Sequence, residues 1–308
     1  MQASVAVDEA LQAGQLLPAP DASSVDFAVA GLAVVVVALA VAASFVLVSF
    51  DTRARQGRLR RMLDLGPSLR GARLLLAFFA GLLAAAEMLR LPFFRRVISP
   101  RRHVMPCLAY PLVAHGIAEP CFLATVLLLL RASIGGVRLP AAAIAVPFAC
   151  MPFLSWHVAV LVTPADVVAY PGQLAHAADG AAHCAYPAYA ATLLLALAAV
   201  YVPLLASACW SVAAVAINRR LRTRAYTLVA LLVVPLPMQV VALALTSVWD
   251  TQRHTSPTVG LVGFLAAGIA AAASLAILVL LPVYDALVLA DQLPVAAAAG
   301  EDTRELGR

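Results

Sequence analysis

The hydrophobic positions of this chain form long continuous blocks, not the short alternations that mark half-buried elements of soluble proteins. A block of about 20 residues is long enough to cross a bilayer as a helix. Polar or proline- and glycine-rich segments separate the blocks. We therefore predict an all-α, polytopic membrane bundle of seven transmembrane helices. The predicted spans are residues 25–50, 73–94, 104–130, 140–162, 187–217, 226–249 and 259–285.

The composition indicates the same solvent. The chain is 63% hydrophobic and 12% charged, whereas a soluble domain is about half apolar and about a quarter charged. A soluble fold has too little interior to hide this much apolar surface, so lipid has to cover part of it.

The polar residues exclude several kinds of chemistry. Every basic residue is an arginine and the sequence has no lysine, so a retinal Schiff base, a pyridoxal phosphate site and a Walker lysine are excluded. No hydrolase triad is recognisable. The alanine-rich loop after span four carries His176, Asp179, His183 and Cys184, but this spacing matches no standard zinc motif and we expect the loop to be irregular. We predict no enzyme activity, no cofactor and no metal ion.

The arginines are divided unequally between the two sets of loops. With the N-terminus outside, the inner segments hold 15 arginines and the outer segments 5, and cytoplasmic loops are the ones enriched in arginine. The four arginines within 95–102 run against this rule. The balance predicts a disordered extracellular N-tail (1–24), a transmembrane domain (25–285) and a cytoplasmic, partly disordered C-tail (286–308), with the protein in the plasma membrane.

Five ionisable residues interrupt the apolar blocks. Glu87 and Arg90 are three positions apart in span two, and His115 and Glu119 are four apart in span three, so each pair shares a helix face. His157 lies near the outer end of span four. Ionisable groups inside a membrane usually face the bundle interior or a wet cavity. We predict that these five side chains converge on one polar pocket in the outer half of the bundle.

Three roles for this pocket remain open. In the first, the two pairs only lock helix packing, as buried pairs often do. In the second, they line a ligand pocket in which Arg90 holds an anionic group through two hydrogen bonds. In the third, His115 and Glu119 relay protons in a coupled transporter.

Two basic segments are predicted to face the cytoplasm. They fit an anionic inner leaflet or a cytoplasmic protein partner. Nucleic-acid binding is not predicted, because aromatic interleaving and a recognisable binding module are lacking. The residues concerned are Arg53, Arg55, Arg58, Arg60 and Arg61 in the first segment and Arg219, Arg220, Arg222 and Arg224 in the second.

Helix packing also has a signal in the sequence. Gly263, Ala267 and Ala271 repeat a small residue every four positions on span seven, which allows close helix contact. Prolines inside spans three to seven predict bends.

Span number, orientation and several single positions resemble the G-protein-coupled receptor superfamily. Cys107 falls near the outer end of span three and Cys184 in the long outer loop, while Trp156 and Pro203 occupy landmark positions in spans four and five. The resemblance implies a Cys107–Cys184 disulfide, a ligand site open to the outside and signalling by helix rearrangement.

The chain departs from that superfamily at its signature motifs. Span three ends at Arg131 without the acidic-arginine-aromatic triplet, and residues 281–285 read Leu-Pro-Val-Tyr-Asp. The resulting prediction is a receptor-like membrane protein that binds a small ligand. The alternatives are a small-solute or proton-coupled transporter and a structural or assembly protein such as a viral envelope component.

Overall fold

The protein is a helical bundle, seen in a computed structural model that describes residues 23–55, 67–94, 109–132, 139–162, 174–176, 182–184, 188–215, 219–248 and 256–288. Two helices contain π-helical turns, which we call π1 and π2. The elements in chain order are α1 (Ser24–Arg55), α2 (Pro67–Arg90), π1 (Leu112–Ala118), α3 (Glu119–Ala132), α4 (Leu139–Val162), β1 (Leu174–His176), β2 (Ala182–Cys184), α5 (Ala188–Val215), α6 (Arg219–Val233), α7 (Pro235–Val248), α8 (Ser256–Leu275) and π2 (Ala276–Leu280).

The bundle hides small residues and displays large ones. Its core is rich in alanine, with Ala33 and Ala80 both fully buried. Phe45, Phe148 and Trp210 are each more than 70% exposed. This arrangement is opposite to that of a soluble protein and fits a bundle whose outer surface meets hydrocarbon. The protein is therefore a multi-pass helical membrane protein.

Six helical segments are long and apolar enough to cross a membrane: Ser24–Phe50, Leu69–Arg90, Ala109–Ala132, Tyr189–Val215, Arg219–Thr246 and Thr258–Val288. The predicted fourth span corresponds to α4 (Leu139–Val162), within which Val146–Val160 is found as an apolar helix of shorter length. Six of the predicted spans thus have counterparts of full length. The count of seven stays a prediction.

The helices close into a ring. Along it, α1 packs on α2, α2 on α3, α3 on α5, α5 on α7, α7 on α8, and α8 back on α1. Helix α2 also contacts α8, π1 and α4, so it lies toward the middle of the bundle. Helix α4 makes its main contacts with α2, π1 and α3, and Trp156 on it is 48% exposed.

The first helix begins at a capping box. The backbone N–H of Ser23 donates to Oδ2 of Asp26 at 2.8 Å, and the backbone N–H of Asp26 donates to Oγ of Ser23 at 3.2 Å. These two bonds satisfy amide groups that have no partner within the helix. The described helix starts at Ser24, close to the predicted beginning of span one at residue 25.

The predicted small-residue stripe on α8 is confirmed as a contact surface. A Cβ added to Gly263 would lie 3.0 Å from Cβ of Ala242 on α7, closer than side-chain carbons normally approach. Ala267 and Ala271 are also buried. Glycine at this position lets α7 and α8 pack at short range.

The structure corrects the expected loop before span six. Residues 219–224 form the first turns of α6 and are not a loop. Arginine is a good helix former, so a basic run can extend a helix beyond the membrane. The predicted single helix over 226–249 is also interrupted at Val234, because Pro235 has no N–H to continue the hydrogen-bond ladder.

The loop that follows α4 is not wholly irregular, as had been expected. Strands β1 and β2 pair in antiparallel fashion, with Leu174 opposite Cys184 and His176 opposite Ala182. In the rest of the described chain the elements are helical, as predicted. The alanine-rich strands of this short hairpin have a low β-propensity, so the sequence did not reveal them. The described chain also continues in a helix to Val288, past the predicted end of the domain.

Candidate functional site

The centre of the candidate site is a chain of hydrogen bonds inside the bundle. The hydroxyl of Tyr110 donates to Oε1 of Glu87 at 2.5 Å. Nε2 of His115 lies 3.4 Å from the same hydroxyl oxygen, and Nδ1 of His115 lies 2.7 Å from Oε2 of Glu119. All four side chains are buried. Two carboxylates are thus linked through a phenol and an imidazole, and we call these four residues the polar chain.

Segment π1 sets the register of the polar chain. Its terminal hydrogen bond runs from the N–H of Glu119 to the carbonyl of Ala114, five residues back, whereas an α-helix uses a four-residue step. A five-residue step also brings Tyr110 beside His115, and their rings meet edge to face with centroids 5.6 Å apart. π-Bulges are frequently found at functional sites.

Arg90 closes one end of the polar chain. Its Nε lies 3.6 Å from Oε2 of Glu87, and its guanidinium carbon is 5.9 Å from the centre of the Tyr110 ring. The arginine side chain is 14% exposed, against 7% for that of Glu87. The positive charge therefore lies near the edge of the bundle and offsets the buried carboxylate.

The proton between His115 and Glu119 has two positions that leave every heavy atom in place. In one, Glu119 is ionised and both nitrogens of His115 carry protons that they donate to Glu119 and Tyr110. In the other, Glu119 carries the proton and donates it to Nδ1, while Nε2–H still faces the Tyr110 oxygen. A single proton moving across the 2.7 Å gap interconverts them.

A small cavity lies against the polar chain. It has a volume of about 10 Å³, which is room for roughly one water molecule. Its polar lining residues are Glu87, Tyr110, His115 and Gln239, and the small residue Gly263 also lines it. A small-molecule site usually needs a volume of about 300 Å³ or more, so the cavity matches a water molecule in this conformation.

His157 lies beside this group but is not joined to it. Its ring packs against Gly116, where an added Cβ would lie 3.6 Å from Cγ of His157. Nδ1 is 2.8 Å from the carbonyl oxygen of Phe153, and since a carbonyl only accepts, Nδ1 carries the proton. Nε2 is buried and has no hydrogen-bond partner among the described residues. The ring instead contacts that of Tyr189 at 5.4 Å between centroids.

The predicted site residues thus divide into two groups. Glu87, Arg90, His115 and Glu119 come together, and the spacing within each pair produces the expected contact. His157 lies nearby without a hydrogen bond to the others. The role of these residues as ligand contacts stays a prediction.

Sequence reasoning missed Tyr110 and Gln239. Tyr110 lies five residues before His115, a spacing that has meaning only where the helix has a π turn. The available signal was the helix-weakening residues Pro111, Gly116 and Pro120 around it. Gln239 is the only glutamine inside a predicted span, and an uncharged amide in an apolar run gives a weak signal.

The described part of the second basic segment lies on α6. Arg219, Arg220 and Arg222 are exposed. Arg224 makes a two-point ion pair with Asp285, in which the Nη2–Oδ1 distance is 3.1 Å. In the first segment, Arg53 and Arg55 lie in the last turn of α1, while Arg58, Arg60 and Arg61 lie outside the described residues.

The structure describes only one of the two cysteines in the predicted disulfide. Cys107 lies outside the described residues and Cys184 is in β2, so their disulfide stays a prediction. Cys121, Cys150 and Cys209 are free and buried. No group of three or more metal-ligating side chains occurs among the residues that the structure describes.

Comparison with known proteins places most of the chain in one family. A family model described as "Uncharacterised conserved protein UCP031277" matches residues 8–294. No curated protein matches the chain.

Proposed function

The chain belongs to this family of uncharacterised conserved proteins, and we propose that it is a proton-coupled membrane transporter in which the polar chain carries the proton. The observation that supports this most is the continuous series of contacts from Glu119 through His115 and Tyr110 to Glu87. Chains of carboxylates and histidines inside membranes are the usual means of proton relay.

The proposed step conserves every proton. It starts with Glu119 protonated, Nε2–H on His115, O–H on Tyr110 and Glu87 ionised. Glu119 gives its proton to Nδ1, Nε2–H passes to the Tyr110 oxygen, and the Tyr110 proton moves to Glu87. Glu119 ends ionised, Glu87 ends protonated and His115 changes tautomer, so one proton has crossed the chain.

The contact between Tyr110 and His115 limits this step. At 3.4 Å it is the longest of the three contacts, and proton transfer requires an ordinary hydrogen-bond distance. Because Tyr110 and His115 lie on the same helix, this contact shortens only when π1 changes its conformation relative to the turn that carries Tyr110. The proton flow is thereby tied to a movement of one helical segment, which is what coupling to a solute requires.

The first test removes one oxygen atom from the polar chain. Tyr110→Phe keeps the ring but deletes the hydroxyl between Glu87 and His115. Because general proton transfer through a positioned side chain contributes about a hundredfold or more in rate, we expect proton uptake to fall by about tenfold or more. The measurement is acidification of proteoliposomes that hold a pH-sensitive dye and the purified full-length protein.

Tyr201→Phe is the matched control. Tyr201 is also buried, on α5, and its hydroxyl has no hydrogen-bond partner among the described residues. Its removal should leave proton uptake unchanged. Wild-type uptake in the Tyr110→Phe protein, with the same amount of protein inserted, would rule out a relay through this hydroxyl.

A receptor-like function is the second candidate. It is favoured by Arg90, a partly exposed guanidinium at the end of the polar chain that is suited to bind an anionic group of a small ligand. Ligand entry then requires α7 or α8 to move away from the cavity. Reconstituted protein that moves neither protons nor solute, yet binds a carboxylate-containing ligand in an Arg90-dependent manner, would favour the receptor.

A further inference from the structure

A second recess lies apart from the polar chain, between α6 and the end of α8. It is a groove of about 710 Å³, within the volume range of small-molecule sites. One wall is the first turns of α6, and the other is π2 with the residue that follows it. The groove opens where α5 has ended and α6 begins, on the basic face of the bundle.

The α6 wall is strongly positive. Arg219, Arg220 and Arg224 line it, and Thr223 lies among them. The lining residues include no carboxylate in the part of the chain that the structure describes. Asp285, just outside, binds Arg224 at two points and so fixes that guanidinium in place.

The opposite wall is apolar. Ile277 and Leu281 form it, four residues apart on one helical face, and both are partly exposed. Thr227 continues the α6 wall beyond the arginines, one turn farther along the helix. The groove is thus basic at one end and apolar along one side, and it lies at the edge of a bundle that spans a membrane.

This combination fits a particular class of ligand. Guanidinium groups bind phosphate oxygens through paired hydrogen bonds, and basic pockets between transmembrane helices bind lipid head groups. An acyl chain needs an apolar wall beside the head group, which Ile277 and Leu281 supply. We propose that the groove binds one anionic phospholipid, with its phosphodiester on Arg219 and Arg220 and one acyl chain along Ile277 and Leu281.

The test uses native mass spectrometry of the full-length protein with added lipid. Phosphatidylglycerol should remain bound in preference to phosphatidylcholine with the same acyl chains. An arginine near a lipid surface contributes about a fivefold gain in affinity, so Arg219→Gln should lower phosphatidylglycerol binding about fivefold. Arg222→Gln is the matched control, since Arg222 lies on the same helix, carries the same charge and does not line the groove.

A second variant tests the apolar wall without changing charge. Leu281→Trp fills the groove and should reduce phosphatidylglycerol binding severalfold, while Leu221→Trp, an exposed α6 residue outside the groove, should not. Equal losses in Arg219→Gln and Arg222→Gln would overturn the proposal in favour of general surface charge. Displacement of the lipid by glycerol phosphate at the concentration at which lipid itself competes would also overturn it, since a free phosphate would then suffice.

Discussion

At the scale of single residues, the polar side chains of this protein are arranged so that few charges stand alone in the described part of the bundle. An isolated charge at the membrane centre costs about 3 kcal/mol or more. Glu87 has Arg90 on one side and Tyr110 on the other, and Glu119 has His115. These contacts explain how such residues are tolerated in a core made mostly of alanine and leucine.

Variants of Glu87 and Arg90 distinguish a role in helix packing from a role in proton transport. Removing Arg90 alone leaves a buried carboxylate with less compensation, and we expect Arg90→Gln to lower the free energy of unfolding by about 2 kcal/mol. The double variant Glu87→Gln, Arg90→Gln removes both charges together and should recover most of that loss. Unfolding of the purified protein in mild detergent measures both values.

Proton uptake by the same double variant shows whether Glu87 takes part in proton transport. The amide that replaces the Glu87 carboxylate keeps an oxygen that accepts the Tyr110 hydroxyl but cannot take up the proton. Uptake should therefore fall by about tenfold or more despite normal stability. A double variant that is stable and takes up protons as the wild type does would favour a purely structural pair.

The two ion pairs were predictable from the spacing of their residues along a helix. The contacts between residues far apart in the sequence were not. His115 and Glu119 are one helical turn apart, so periodicity alone brings them together. The bond from Tyr110 to Glu87 joins residues 23 apart in sequence, and its existence depends on how π1 packs on α2. Gln239 lines the cavity because α7 packs on α8. The sequence indicated only the α8 side of that contact, through its small residues.

At the scale of elements, π1 is the feature that gives the site its geometry. A π turn adds a residue to a helix without breaking it, so the side chains before and after it are turned relative to each other by about 100° compared with an α-helix. Pro120 adds to the local irregularity because it lacks an N–H. Span three was predicted as a helix bent by its prolines, and the π-helical geometry over Leu112–Ala118 is a feature that the prediction did not contain.

Inserting one residue should change the register of this segment. One alanine inserted after Val113, which is only partly buried, places Tyr110 six residues before His115 and turns it away from that ring, while His115 and Glu119 stay four residues apart. We expect proton uptake to fall by about tenfold or more, with helical content unchanged by circular dichroism. The substitution Val113→Ala keeps the π turn and is the control.

The outcome depends on the register and not on side-chain packing at position 113. If the variant with the added alanine reaches the membrane normally and still takes up protons, the five-residue step is dispensable and the proposed relay does not run through Tyr110. Loss of uptake in Val113→Ala as well would point to packing at this position as the cause.

At the scale of the whole molecule, composition was sufficient to predict a helical membrane protein but not the number of crossings. Six segments of the described chain reach the length of a span, and α4 decides whether the total is even or odd. Mostly apolar sequence gives a clear signal for burial in lipid. The same sequence gives only a weak signal for which helices pack against each other, because alanine and leucine pack well against many different neighbours.

The crossing number has a direct consequence for the two ends of the chain. With α4 spanning, seven crossings put the termini on opposite sides of the membrane, and the arginine distribution predicts that the N-terminus is outside. A short epitope tag at the N-terminus should therefore bind antibody on intact cells, and the same tag at the C-terminus should bind only after permeabilisation. Both tags on one side would mean that α4 does not cross.

The cavity beside the polar chain also bears on ion selectivity. If the polar chain carries protons as proposed, a space that holds about one water molecule is sufficient for it. A proton passes by rearrangement of covalent and hydrogen bonds, and no ion of finite radius has to move through the space. A sodium or potassium ion would have to shed its hydration shell in a mostly apolar enclosure, and stripping an ion of water costs on the order of tens of kcal/mol unless the protein replaces the lost oxygens. Narrowness alone would then keep the sodium and potassium gradients from leaking through the bundle.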